Sequence, residues 1–303
     1  MKYNIECLRL IAVVLITFIH TRHSFENIDL PYIEKIFIYV IEKLPKIGTL
    51  TLSLMSGYLY WLTSRHKKSI IKKKIKTLAI PFLVANGLVI LLNLISFYVF
   101  GYNFLNRLAY DYTLFTDGLL SLNSPPINPP TYFVRDIFII FCLIELIRNK
   151  NLKMLLILVP YVVFGKLLIR YDILLLFAFG VLFAQFESVA KKYNLYLIGL
   201  LLILGVISII FSEIHTYKYP LAFLVFMIFL NIKISFVNVG GFAYLLHLYH
   251  SPIIVVIFPL LATVISNSYL SVVLQIMSAI IFCAVLFLLT NKLKFLKILS
   301  GGR

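Results

Sequence analysis

Apolar runs of about twenty residues recur along nearly the whole 303-residue chain, parted by short polar breaks. A bilayer core about 30 Å thick is crossed by an α-helix of about 20 apolar residues. Only helices and closed barrels satisfy their own backbone polar groups there. The runs fall at about 4–22, 46–64, 77–99, 130–148, 152–168, 170–187, 195–212, 218–232, 241–264 and 269–290. They predict an all-α fold, a polytopic membrane helical bundle of about ten transmembrane helices. The fifth and sixth runs are interrupted by Lys166, Arg170 and Asp172, so they read either as a broken pair or as a re-entrant element. Composition agrees: 61% of residues are hydrophobic, 13% are charged and the mean hydropathy is +0.99. Soluble domains are about half apolar and a quarter charged. No polar stretch is long enough for a second, soluble domain, and a single integral membrane domain over 1–303 is expected.

The net charge of +16 would suit a nucleic-acid binder in a soluble chain. Here the cations sit between apolar runs, where they set orientation in the bilayer. The stretch 65–76 carries seven Lys/Arg and is assigned to the cytoplasm. Ten spans then place both termini in the cytoplasm, with 18 Lys/Arg inside against 8 outside. A multi-pass protein of the cell membrane follows. Glu6 and Arg9 interrupt the first run, which reads as a retained helix and not as a cleaved leader. Two outer segments are long. Residues 23–45 alternate apolar and charged positions, as in an amphipathic helix on the membrane surface, and 100–129 end in a proline-rich stretch. Cys7, Cys142 and Cys283 lie far apart with no metal or disulfide spacing, and no metal is expected.

Ionisable side chains inside spans are costly, and each is a functional candidate. Arg9 and His20 lie eleven residues apart on the first span. That spacing puts them within about 20° of one helix face and about 16 Å apart along the axis. Two readings are open. In one, both point into a shared cavity, His20 as a general base for a hydroxyl and Arg9 as a phosphate-binding group. In the other, each snorkels to its own headgroup layer. The basic stretch leading to Pro81 includes Lys73, Lys74 and Lys76, which could hold a polyphosphate or anionic lipid, or only fix topology. Ser53, Ser56 and Gly57 on the second span allow close helix packing. On the fourth span Arg135 and Asp136 need buried partners, and as chain neighbours on a helix they are not expected to face one another. Tyr244, His247 and His250 share the ninth span. The two histidines have a spacing that can bind metal, but no third ligand is evident.

Five segments, in this order, resemble the membrane acyltransferase-3 family over nearly the whole chain. They are Arg9 with His20; Ser56-Gly57-Tyr58; Lys74 through Pro81-Phe82; Tyr132-Phe133-Val134-Arg135; and Tyr244-Leu245-Leu246-His247-Leu248-Tyr249-His250. The chain departs from the family pattern at Thr77, where a second Arg is usual, at Tyr132, where Trp is usual, and at His247, where Tyr is usual.

The resemblance implies an integral membrane enzyme, an acetyl-CoA-dependent acyltransferase. It would move an acyl group, most simply acetyl, onto a hydroxyl of a cell-surface or lipid-linked carbohydrate. On that expectation His20 and Arg9 are catalytic, and Lys73, Lys74 and Lys76 hold the phosphates of CoA. Tyr132, Arg135, Tyr244 and His250 line the substrate cavity. The partners would be acetyl-CoA, a glycan or lipid-linked sugar, and membrane lipid, with no nucleic acid. A transporter or flippase of a lipid-linked sugar is the alternative. It would show inverted repeats, and no internal repeat is evident. A non-catalytic partner of a glycan-assembly complex is a third reading.

Overall fold

The computed structural model describes residues 2–22, 44–103, 105, 107–211, 216–232, 235–265 and 268–302. The surface helix expected at 23–45 lies, apart from its last two residues, outside the described residues. Among the described residues all regular structure is helical. The elements are α1 (Lys2–Ile19), α2 (Ile47–Thr63), α3 (Ile71–Phe100), α4 (Tyr132–Asn149), α5 (Leu155–Val163), α6 (Tyr171–Gln185), α7 (Glu187–Lys192), α8 (Asn194–Phe211), α9 (Lys218–Asn231), α10 (Gly240–Val264) and α11 (Ser268–Lys292).

Four of these segments are long and apolar enough on their own to cross a membrane: Ile71–Phe100, Asn194–Phe211, Gly240–Val264 and Tyr269–Lys292. The chain is a helical membrane protein. The fifth expected span is a nine-residue helix, α5, followed by non-helical chain at 164–170. At 1.5 Å per residue it reaches about 14 Å, which is too short to cross. The interruption expected around Lys166 and Arg170 is there, as non-helical chain between α5 and α6.

The core gathers α2 against α6, with α1 between α2 and α10, and α4 against the start of α3. α2 and α6 cross where neither helix carries a side chain. A Cβ on Gly57 would sit 1.9 Å from the Phe177 carbonyl oxygen, and one on Gly180 would sit 2.0 Å from that of Leu54. Small residues thus bring the two backbones together, as the Ser-Gly segment predicts. At the other extreme, α8 buries only Gly205 and presents Leu202, Ile203, Ile207 and Ile210 outward, as a lipid-facing helix does.

Two prolines shape the helices that carry the site. Pro81 cannot donate to the carbonyl four residues back, and its ring crowds that turn. The chain widens into a π turn at Ile75–Ala79 just before it. Pro252 inside α10 likewise cannot donate to the Leu248 carbonyl. Asn128 takes over: its Nδ2 donates to Leu248 O at 2.6 Å, while its backbone N–H donates to Asn86 Oδ1 at 3.1 Å. Asn86 Nδ2 in turn donates to Thr131 Oγ1 at 3.0 Å. This buried amide network ties α3, the proline-rich segment and α10 into one unit.

Candidate active site

A cavity of about 300 Å³ opens beneath the basic stretch between α2 and α3. Its walls come from α1 (Arg9, Val13), α2 (Ser56, Tyr60, Thr63), the 64–74 segment (Lys67, Lys73, Lys74), α4 (Phe133, Ile137, Phe141) and α10 (Tyr244, His247). The sides are apolar and one end is cationic. The basic stretch is held over the opening by α4. Glu145 Oε2 accepts from the Ile70 N–H at 3.3 Å, and Arg148 Nη2 donates to the Lys67 carbonyl at 2.9 Å. Lys74 Nζ lies 3.8 Å from the centre of the Phe141 ring, so its charge is drawn toward the cavity. Arg9 is aimed by Glu6 one turn earlier: Nη1 donates to both carboxylate oxygens, at 2.8 and 2.9 Å. A Cβ at Gly240 would lie 2.8 Å from Arg9 Nη1 and 3.0 Å from Glu6 Oε2, so α10 starts hard against this pair.

His247 leads out of the cavity. Its ring packs edge-on against Phe133 at 5.6 Å and lies 6.4 Å from the ring of His250. His250 is fully buried, and its ring lies 5.2 Å from that of His20. Its Nδ1 donates to the Leu246 carbonyl at 2.7 Å. Its Nε2 has no hydrogen-bond partner among the described residues. Two residues beyond His20, the chain is held by α11. The buried Gln275 clamps the backbone of Arg22, accepting from its N–H at 2.8 Å and donating to its carbonyl at 2.9 Å.

The expected site residues therefore separate into groups. Arg9, Lys73, Lys74 and Tyr244 line one cavity. His20 and His250 do not line it, but they continue from His247 on its wall. Lys76 points elsewhere: a Cβ on Gly302 near the C-terminus would lie 3.9 Å from its Nζ. Tyr132 and Arg135 also lie outside the cavity. Arg135 is buried and donates to Asp136 Oδ1 at 2.6 Å and to the carbonyls of Leu167 and Lys166, with its guanidinium over the Tyr161 ring. This corrects the expectation that Arg135 and Asp136 do not meet. Both lie near the start of α4 and reach the same non-helical chain at 164–170. There Asp136 accepts from the Ile169 and Arg170 N–H groups at 3.1 and 2.9 Å. Tyr132 accepts from Arg170 Nη1 at 2.9 Å, and Arg170 also pairs with Asp172.

His247 stood out in the sequence as half of a possible metal pair and not as part of this wall, and Lys67 and Gln275 did not stand out as site-building residues. Gln275 had a visible signal, a polar residue in an otherwise apolar run. Lys67 had none beyond its membership of a basic cluster. Among the described residues no three His, Cys, Asp or Glu side chains are placed to hold a metal ion together.

The described residues thus form a helical, membrane-like bundle with a cationic pocket that has a histidine on its wall. The sequence matches the acyltransferase-3 family, described as an acyltransferase domain, over residues 2–290, and the chain belongs to that family. No curated protein matches it. No solved structure matches it.

Proposed function

We propose that this membrane acyltransferase takes an acetyl group from acetyl-CoA and delivers it to a hydroxyl of a cell-surface or lipid-linked carbohydrate. The observation that carries the reading is the convergence of Arg9, Lys73, Lys74 and Lys67 on one cavity whose inner wall holds His247. The cations match an anionic, phosphate-bearing donor, and the positive-inside rule puts their end of the cavity in the cytoplasm, where acetyl-CoA is found. Its apolar walls suit a pantetheine arm, while the nucleotide would rest on the 65–76 stretch. A volume of about 300 Å³ is at the lower end for small-molecule sites.

In this reading the acceptor approaches from the His20 end. His20 takes the hydroxyl proton as the oxygen attacks the thioester carbonyl; the carbon–sulfur bond breaks and CoA leaves. Family membership supports acyl transfer.

The test is transfer of labelled acetyl from acetyl-CoA to glycan in membranes carrying the wild-type chain or His20→Ala. We expect the variant to accumulate normally and to lose at least about 10²-fold in transfer, the usual contribution of a general base. Wild-type transfer by His20→Ala would sink the assignment. Surface glycan from cells with and without the gene should differ by an O-acetyl group.

A further inference from the structure

We propose that His250 is the positioning residue for His20. Its buried Nε2 takes the ring N–H of His20, which fixes His20 in one tautomer with the other nitrogen turned to the acceptor hydroxyl. The proposal rests on the acyl-transfer reading above and gives His250 a role in it.

A neutral imidazole carries its hydrogen on one nitrogen and its lone pair on the other, and a general base must present the lone pair. Which nitrogen is which is set by the hydrogen bond that the second one makes. His250 is built to make that bond. Its Nδ1 lies 2.7 Å from the Leu246 carbonyl oxygen. A carbonyl only accepts, so the hydrogen is on Nδ1 and Nε2 is an acceptor. The ring is fully buried, and Nε2 has no partner among the described residues. A buried acceptor is costly in that state, which calls for a donor. Imidazoles joined nitrogen to nitrogen have ring centres about 5 Å apart. The His20 ring is centred 5.2 Å from that of His250, with the planes inclined by 53°. A turn about its Cβ–Cγ bond brings an N–H onto Nε2. The His247 ring, at 6.4 Å, is beyond that reach.

The backbone around His20 is already held, so only the ring remains to be aimed. The His20 backbone N–H donates to the Thr17 carbonyl at 3.2 Å, and Thr21 Oγ1 donates to the Phe18 carbonyl at 2.8 Å. Gln275 grips both backbone groups of Arg22. His20 is half-buried where His250 is fully buried, so the nitrogen turned away from His250 is the one an acceptor can approach. That nitrogen takes the hydroxyl proton as the oxygen bonds to the thioester carbon. The carbon–sulfur bond breaks, and the same nitrogen gives the proton to the sulfur leaving that carbon. The O–H and C–S bonds break, the ester C–O bond and the S–H bond of CoA form, and His20 ends as it began. His250 moves no proton. Its Nε2 accepts throughout and steadies the imidazolium while it exists. A neutral ring in this place also spares the bundle the cost of burying a carboxylate.

The test uses the full chain in lipid nanodiscs and two variants that separate packing from aim. His250→Asn keeps an amide N–H for the Leu246 carbonyl, as Asn86, Asn93 and Asn231 do for the carbonyls four residues before them, and ends short of the Nε2 position. His250→Gln reaches that position with an amide oxygen that accepts, and gives up the bond to Leu246. His250→Asn should lose at least about tenfold in kcat, part of what a general base contributes, with KM for acetyl-CoA within about twofold. His250→Gln should recover most of that loss. A His250 that only packs predicts the reverse order. The second readout needs no substrate: ¹⁵N NMR, in alkaline buffer, of histidine-labelled protein, which has six histidines. The signals missing from His20→Ala are those of His20. They should show the separated shifts of one tautomer in the wild type and in His250→Gln, and the averaged shifts of two in His250→Asn. Averaged shifts in the wild type, His250→Asn within about twofold of wild-type kcat, or His250→Gln no better than His250→Asn overturns the pairing. A single His20 tautomer in a wild-type chain that transfers no acetyl from acetyl-CoA overturns the acyl-transfer reading and upholds the pairing.

Discussion

Two clusters of buried charge in this protein have opposite designs. At the start of α4, Arg135, Asp136, Arg170 and Asp172 close on one another and on the backbone of 164–170. Asp136 and Arg135 have almost no exposed surface. At the cavity, Arg9 has a single carboxylate partner, and Lys67, Lys73 and Lys74 line open space. The first cluster spends its charges on itself, joining a broken element to a full helix. The second leaves positive charge facing a volume that a ligand can fill. Both contain an arginine inside an apolar run, so the presence of such a residue marks importance without saying of which kind.

The sharpest way to break this contrast is at its closed half. Arg135→Leu should strand Asp136 and the carbonyls of Lys166 and Leu167 without their partner. Removing one member of a buried pair costs about 3–5 kcal/mol, a large share of the roughly 5–15 kcal/mol that holds a domain together. We expect a fall in folded protein in the membrane and in the thermal midpoint of what is purified. A variant as stable as wild type would put Arg135 back among candidates for function. Next in size is Arg9→Gln. Its pair with Glu6 is partly solvated, with side-chain exposures of 22% and 11%, so the thermal midpoint should move little. Transfer should fall by about 10²-fold, with the loss following acetyl-CoA concentration. The smallest effects sharpen the boundary of the open half. Lys73→Ala with Lys74→Ala should raise KM for acetyl-CoA roughly tenfold, equal to about 1.4 kcal/mol, with kcat within about twofold, and added salt should mimic the change. Lys76→Ala should leave KM unchanged, because its side chain turns toward the C-terminal residues. Equal responses from all three lysines would mean that the stretch acts as a diffuse positive field and not as a site.

Much of this could be read from the sequence, because bilayer physics is so restrictive. Long apolar runs become helices, Ser56-Gly57 becomes a close crossing, and the basic stretch lies at the mouth of a cavity. Arg9 lies within α1 and His20 in the turn just past its end, and the two do not share a cavity. The spacing fixes direction around an axis but not what the next helix places there: α10 sets His247 and His250 between them. Arg135 and Asp136 show the limit from the other side. The rule that chain neighbours diverge holds inside a helix. Near its start, Arg135 and Asp136 meet because both reach the backbone of the non-helical segment after α5.

By itself, then, the sequence determined that the chain is a helical membrane protein, that its cations cluster between the apolar runs and that its ordered motifs are those of an acyltransferase. These follow from local composition and from periods along one helix. The tertiary structure alone decided which buried charges neutralise each other and which face a cavity. It also decided that His20, just past the end of α1, meets His250 of α10, because partners in a bundle are chosen by packing between helices, which no single run of residues encodes.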